Sequence, residues 1–491
     1  MKRIITPSEM REMDRGSKMP PLVLMENAGK GIADDLLDMD HNSYLILVGK
    51  GNNGGDGMVV ARWLSRAGKD VMVMLMEDPE NLSPEARHNY ELLLHHPVEI
   101  EKFDGALPHA DVIVDALFGI GFRGKLEGKY KEAVEIANLM DSLRVAVDIP
   151  SGVNGLTGQV EGVAFDAHIT YTFAAEKLGH HLFEGKMLSG EVVVIDIGIE
   201  DYLYEDKGFL AIEDEDVLEL LPAYAGWENK GDRGRLLIIA GSRDFTGAPL
   251  LNAMGSLSMG AGYTYLAVPE SIYPHLIGRF PEVILIPLRD RDGHLYSGSF
   301  DDLMDRGIRF DGIAFGSGVG RFDDVREFAS RLLELNVPKV IDADGIWALS
   351  DKVDMLGEDV VITPHPGELS RIVGLKPHEV DRKRVDVALD YSEKHNHVLL
   401  LKGNPAIIVQ KEERYINTSG HVSLARAGSG DVLTGMIGAL LVQDVPPVEA
   451  AALAAYIHGR AGDMGDEFTF TPSDIPDAIL EYIRFLEEEC E

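Results

Sequence analysis

Apolar residues along this chain gather in short unbroken runs, separated by longer stretches with a helical rhythm. In the first part the runs are YLILVG (44–49), VMVMLM (71–76), VIVDALFG (112–119), VAVDIPSG (145–152) and EVVVIDIG (191–198), each punctuated by a glycine turn or an acidic residue. Stretches such as Met58 to Ala67 and Lys129 to Leu139 read as helices between them. Continuous apolar strands alternating with helices predict a parallel sheet covered on both faces. At the N-terminal end, Thr6-Pro7-Ser8-Glu9 sets out a capping oxygen, a helix-opening proline and a return carboxylate in order. Leu22 to Met39 predicts a second amphipathic helix.

Between Ile199 and Asn229 the apolar rhythm lapses into the acidic stretch EDYLYEDKGFLAIEDEDVLELL, which places a domain boundary near residue 208. The expected domains are 1–207 and 208–491. A second α/β series follows: RLLIIAGS (235–242), YTYLAVP (263–269), GIAFGSG (312–318), KVIDADG (339–345), VVITPHPGE (360–368) and VLLLKG (398–403). In open α/β sheets ligands lie at the carboxyl ends of the strands, where the closing glycines, prolines and acids of these runs would gather. The two halves share a class but not their loop patterns, as two different fused domains would.

Composition narrows the partners. The 491 residues suit two large domains, and 45% hydrophobic with 26% charged residues excludes extensive disorder. With 46 Lys and Arg against 82 Asp and Glu, the formal charge is −36, which opposes a nucleic-acid or anionic lipid surface. Phosphate-bearing metabolites stay open, because backbone N–H groups can hold them. The one cysteine, Cys490, permits neither an intramolecular disulfide nor a cysteine zinc site, as expected of a reducing cytoplasm. The start, MKRIITPSEM, lacks a secretory apolar region, and Val432 to Val442, broken by Gly435 and Gly438, is too short to span a membrane and reads as a buried helix. A soluble cytoplasmic protein, homo-oligomeric, is expected.

The loop GKGNNGGDG (Gly49 to Gly57) leaves a strand and enters a helix, so its backbone can approach a phosphate closely. It holds a formal GxGxxG (Gly49, Gly51, Gly54), with Glu77 where a ribose-binding acid would lie. Asn52, Asn53 and Asp56 crowd it, however, and Asp56 would repel a pyrophosphate directly above; amides and carboxylates so clustered suit a hard cation and sugar hydroxyls. Asp115 precedes LFGIGFRGK, a second possible phosphate cradle with Arg123 and Lys125, and Asp148 enters the rigid turn Ile149-Pro150-Ser151-Gly152. An Asp at a strand end is most often a cap, but three such loops on one sheet rim favour a functional site.

The ordered set MENAG, GNNGGDG, VDALFGIG, VDIPSG and TFAAEKLG resembles the YjeF N-terminal domain over about the first 200 residues. The resemblance implies a Rossmann-like three-layer αβα domain that epimerises the hydrates of NADH and NADPH (NADHX and NADPHX). It implies that Asn52, Asn53, Gly54, Gly55 and Asp56, with Gly119, Ile120, Gly121, Phe122, Arg123, Gly124 and Lys125, bind the dinucleotide. Asn53, Asp115 and Ser151 would hold potassium, and Asp148 would contact the hydrated nicotinamide. Epimerisation at the hydroxyl-bearing carbon needs reversible proton movement, which makes the Asp148 carboxylate the candidate acid/base group.

In the second half the strongest local motif is ARAGSGDVLTGMIGALL (425–441), a glycine turn feeding an apolar helix with Asp431 at its entrance. Its N–H groups can stabilise a transferring phosphoryl group while Asp431 takes a hydroxyl proton. Asp431 as a mere cap would not require Gly428 and Gly430. The turn resembles the anion hole of the ribokinase-like superfamily. KGDRGRLLIIAGSRDFTGAP, GSGVG, VIDADG, TPHPGEL, LKGNPAIIV and AGSGD in that order resemble the NAD(P)HX dehydratases, in which a nucleotide phosphorylates the S hydrate and loss of phosphate restores NAD(P)H. A ribokinase-like α/β domain is therefore expected. The resemblance implies hydrate contacts by Ala248, Gly318, His365 and Asp431, with Asp431 as general base. It implies nucleotide contacts by Lys402, Gly403, Asn404, Pro405, Ala406 and Gly430, and a magnesium-associated role for Glu368. Fused forms point to ADP as co-substrate, with ATP the alternative. Ser317 and Val319 stand where the family usually has proline and leucine, and His421 where asparagine is frequent.

Other candidates read as structural. His95-His96 and His180-His181 lack a metal-ligand pattern and read as surface histidines; His458 reads as helix packing, and Met72, Met74 and Met76 as core. Asp342 and Asp344 read as a helix cap plus a ligand contact, outside the catalytic set, and the EDEDVLE run as a solvated linker face. Rival readings are a vitamin or sugar kinase with a regulatory domain, a nucleotide-sensing first half, and an NAD-dependent dehydrogenase. TGAP, TPHPGEL and KGNPA together oppose the first, and retention of Asn53, Asp115 and Asp148 the second. The phosphoryl-transfer loops oppose the third.

Overall fold

The computed structural model describes residues 1–224, 227 and 229–489, and Cys490 lies outside them. Packing divides the chain into two compact units, Arg3–Phe209 and Leu210–Glu491 with Met1–Lys2.

In the first unit each apolar run forms a strand, and in all but the edge strand Glu191–Ile195 alternate residues bury in opposite directions. Tyr44, Ile46 and Val48 of strand Ser43–Val48 join one core with helices Pro21–Asp38 and Asn52–Arg66, while Leu45 and Leu47 join another with helix Gly128–Leu139. Burial on both faces is why polar alternation is missing from these strands. The seven-stranded sheet runs Glu99–Lys102, Asp70–Leu75, Ser43–Val48, Val112–Ala116, Leu143–Val147, Ile169–Phe173, Glu191–Ile195, parallel throughout. Strand order reverses between Ser43–Val48 and Val112–Ala116, so the loops after them diverge and leave a crevice.

The capping box forms as expected: Thr6 Oγ1 accepts from Glu9 N at 3.1 Å and Glu9 Oε2 from Thr6 N at 2.8 Å. The helix expected from Met58 begins instead at Asn52, so Asn53 and Asp56 lie in its opening turns. Gly54 permits this early start: a Cβ there would fall 2.1 Å from the Gly49 carbonyl oxygen.

The second unit repeats the winding with other loops. Parallel strands run Val283–Leu288, Tyr263–Pro269, Arg235–Ile239, Gly312–Phe315, Lys339–Ile341, Val360–Ile362, Val398–Leu401, and the antiparallel Ala406–Gln410 and Glu413–Asn417 continue the sheet. Here the order reverses between Arg235–Ile239 and Gly312–Phe315. The late apolar stretch is the buried helix Ser429–Leu441, packed on helix Ala248–Ser258 through Gly255 and Gly435. Among the described residues no helix is long and apolar enough to cross a membrane.

Two structural readings of the sequence change. The EDEDVLE run is not a solvated linker but helix Asp214–Leu220, with Val217 buried and Asp214 accepting from Tyr456 at 2.8 Å and from Arg460 Nη2 at 2.8 Å. His180 is buried, and His181 is paired with Glu176; neither is a surface histidine.

Candidate functional site

At the reversal in the first unit the ends of five strands converge on a cavity of about 1150 Å³. Asn52, Asn53, Asp56, Gly119, Ile120, Gly121, Phe122, Arg123 and Asp148 line it, whereas Gly54 and Gly55 lie beneath as packing and Gly124 and Lys125 fall outside the lining. Asp148 has φ 68°, a left-handed conformation that swings its carboxylate across the rim. Its Oδ1 pairs with the fully buried Lys177 Nζ at 2.9 Å, and its Oδ2 accepts from Ile120 N at 2.9 Å. Burial would raise this carboxyl, but Lys177 and the Ile120 N–H prevail and hold it below the usual range. Gly119 leaves room for this arrangement: a Cβ there would sit 2.7 Å from Asp148 Oδ2.

Neighbouring groups support that carboxylate. His180 Nδ1 accepts from Lys177 N at 3.2 Å, which leaves Nε2–H to donate to the Asp148 carbonyl at 2.9 Å. Burial, with Lys177 nearby, pushes His180 down to about 3, so the ring is neutral. Asp56 is driven the other way: burial, then Asp148 and Asp14, holds its carboxyl well above the usual range. That upward shift makes Asp56 less readily ionised, which lessens the repulsion that the sequence suggested against a pyrophosphate.

Behind the rim Asp115 is fully buried. Its partners are neutral: Ser151 N at 2.8 Å, Ser151 Oγ at 2.7 Å and Leu117 N at 3.1 Å. Burial outweighs these bonds and pushes it up to about 6. Asn53 Nδ2 is buried without a hydrogen-bond partner, a donor left for a ligand.

In the second unit the strand ends again meet a helix N-terminus. Gly428, at φ 104°, turns the chain into helix Ser429–Leu441. Asp431, in its first turn, is pushed up to about 6 by burial and Asp342, against a hydrogen bond from Ser317 and the charge of Lys402. Ser317 Oγ in turn accepts from Asn252 Nδ2 at 2.6 Å. Ala248 and Gly318 face each other across the reversal, since a Cβ on Gly318 would come within 3.1 Å of Ala248 Cβ. Ser429 Oγ is buried and unpartnered at the mouth of the turn, and His458 Nε2 bonds the Ser429 carbonyl at 3.1 Å.

Lys402 Nζ pairs with Asp342 Oδ1 at 2.7 Å, and Asp342, Glu368 and Asp431 together raise its pKa although burial opposes them. Glu368 Oε2 accepts from His365 N at 3.0 Å and so caps helix Pro366–Val373; His365 Nδ1 accepts from Gly367 N at 2.9 Å. Gly403, Asn404 and Pro405 form the turn before strand Ala406–Gln410, where Asn404 Nδ2 donates to the Gly420 carbonyl at 2.9 Å. Among the described residues no three His, Cys, Asp or Glu side chains form a metal cage.

Sequence reasoning missed Lys177 and His180, and it left Asp342 out of the catalytic set. Lys177 stood inside TFAAEKLG, and Asp342 at a strand end, but nothing local says which carboxylate or ammonium each meets.

Fold and sites define a two-unit α/β enzyme, each unit gathering glycine turns and acids where its strand ends meet a helix N-terminus. Residues 236–484 match the family described as NAD(P)H-hydrate dehydratase, and residues 21–179 match the YjeF-related protein N-terminus. The chain is 36% identical to the bifunctional NAD(P)H-hydrate repair enzyme Nnr of Moorella thermoacetica, over 99% of this chain and 98% of that protein. It is 38% identical to the enzyme of the same name from Thermofilum pendens, over 95% and 92%. The crystal structure of a ribokinase-like superfamily protein from Enterococcus faecalis superposes with a TM-score of 0.51 at 23% identity, over 58% of this chain and 97% of that one. The chain belongs to the bifunctional NAD(P)H-hydrate repair enzymes, with an N-terminal epimerase domain and a C-terminal dehydratase domain.

Proposed function

We propose that Asp148 and Asp431 divide the repair of hydrated nicotinamide nucleotides between them. At Asp148 the R and S hydrates of NADH and NADPH interconvert, its carboxylate receiving and returning a proton beside the hydrated ring. Lys177 keeps that carboxylate ionised and fixed.

In the second unit Asp431 takes the proton of the S hydrate's hydroxyl. The hydroxyl oxygen bonds to the terminal phosphorus of ADP, or of ATP, and the nucleotide leaves one phosphate shorter. The C–O bond then breaks, phosphate departs, and the ring regains its double bond as a proton is lost. The N–H groups of the Gly428–Asp431 turn and the Lys402 ammonium face the phosphoryl charge. The observation that carries this reading is a half-buried carboxylate, Asp431, in the glycine turn of a helix N-terminus beside Lys402.

Asn53, Asp115 and Ser151 would hold potassium: a buried carboxylate with only neutral partners is short of one positive charge. Such an ion would supply the missing positive charge at that carboxylate. Magnesium would be shared between Glu368 and nucleotide phosphates, since one carboxylate plus substrate oxygens suits that ion.

The test supplies each epimer with ADP or ATP and follows recovery of reduced nicotinamide. Asp148→Asn should still repair the S hydrate while failing on the R hydrate beyond its spontaneous epimerisation. Asp431→Asn should epimerise but recover nothing. No recovery by the wild type with either nucleotide refutes the reading.

A further inference from the structure

Lys402 belongs to the loop assigned above to the nucleotide, yet its ammonium is held at the phosphoryl end. A Cβ placed on Gly430 would lie 3.2 Å from Lys402 Nζ and 3.5 Å from Asp342 Oδ2, which puts the ion pair against the glycine turn. The Lys402 side chain keeps 23% of its surface accessible and Asp342 only 2%. Part of the lysine side chain is therefore open to a ligand beside the glycine turn, and the carboxylate is not.

Three elements fasten that carboxylate. Lys402 Nζ, just beyond strand Val398–Leu401, donates to Oδ1 at 2.7 Å. Thr363 Oγ1, just beyond strand Val360–Ile362, donates to the same oxygen at 2.8 Å. Thr434 Oγ1, one turn into helix Ser429–Leu441, reaches Oδ2 at 3.0 Å and the Gly430 carbonyl at 2.8 Å. A carboxylate held by donors from three directions is a rigid post, and a charged donor on a rigid post needs little reorganisation when charge develops opposite it.

We infer that Asp342 is a positioning residue of the dehydratase site, holding the Lys402 ammonium at Gly430 so that it stabilises the transferring phosphoryl group more than the bound nucleotide. The inference rests on the phosphoryl-transfer reading above. An ammonium aimed at the reacting group contributes to turnover, whereas one aimed at the adenine or ribose end contributes to affinity.

The experiment uses the full chain with the S hydrate of NADH, measuring kcat and KM for dehydration with ADP and, separately, the Kd of ADP. Lys402→Met and Asp342→Asn should each lower kcat roughly 100-fold while the Kd of ADP moves less than about threefold. The double variant should be no slower than Lys402→Met alone, because the carboxylate acts through the lysine. Retained ADP binding reports that the second unit is folded. Thr434→Val, which loosens the post without deleting a charge, is the second variant and should lower kcat about tenfold. The inference is overturned if Lys402→Met weakens ADP binding as much as it slows turnover, if the two single effects add, or if Thr434→Val turns over like the wild type. A wild type that recovers no NADH with ADP or ATP would instead refute the phosphoryl-transfer reading.

Discussion

Asp148 and Asp431 are both acids at turns, yet their surroundings move them in opposite directions. Lys177 neutralises Asp148 inside the protein and keeps it ionised; Asp431, half-buried near a second carboxylate, is pushed up to about 6 by desolvation and that neighbour. A base works only when ionised, so dehydration should fall as pH drops through about 6 and level off above it. A pH–kcat profile with no break in that region would contradict the assignment of the base. The raised value also means that folding favours the protonated acid: its stabilising contribution is present below the unfolded value and lost as pH rises through about 6. At neutral pH the ionised group is a cost, so inactive Asp431→Asn should melt no lower than the wild type, as thermal denaturation can check. Both acids were legible in the sequence because each sits in a turn with an unusual glycine or proline pattern. Lys177 and Asp342 were not, because a lysine in a strand-end motif or an Asp in VIDADG has no local mark of its partner.

The apolar runs became strands because both sheet faces are covered, which leaves neither face free for polar residues. Strand Glu99–Lys102 escaped notice because EIEK is a half-exposed edge with little apolar content, and Ile169–Phe173 because ITYTF carries two threonines. Those threonines are buried, and Thr170 Oγ1 is satisfied by the Ser189 carbonyl at 2.7 Å, a partner visible only in the fold. The reach of helix Asn52–Arg66 back into the glycine loop was also hidden, since glycines lower helix propensity and tertiary contact overrides it. Helices Ala248–Ser258 and Ser429–Leu441 press together backbone to backbone: a Cβ on Gly435 would lie 1.9 Å from the Asn252 carbonyl oxygen. Gly435→Ala should force the helices apart and cost about 1–3 kcal/mol, read from denaturant unfolding. Because Asn252 bonds Ser317, dehydration should weaken in that variant while epimerisation persists.

Across the whole molecule a formal charge of −36 faces polyanionic ligands. On the reading proposed above, attraction would come from N–H groups at helix starts, from Lys402 and Arg123, and from cations at the sites proposed for them, while the bulk charge repels. Raising ionic strength from about 10 to about 150 mM shortens the Debye length to near 8 Å and should raise kcat/KM for the hydrates. A steady fall with salt would show that local positive charge dominates the approach. The sequence by itself determined two α/β series, their glycine turns and the acids at their strand ends, because these follow from residue type and local spacing. Only the tertiary structure decided that Asp148 meets Lys177, that Asp342 meets Lys402 across 60 residues, and which acids are pushed up or down. Parallel strands are joined by long crossovers, so neighbours in the sheet are remote in sequence. Charges pair where strand order reverses and where strand ends share a rim, and burial there, set by every element at once, fixes the direction of each titration.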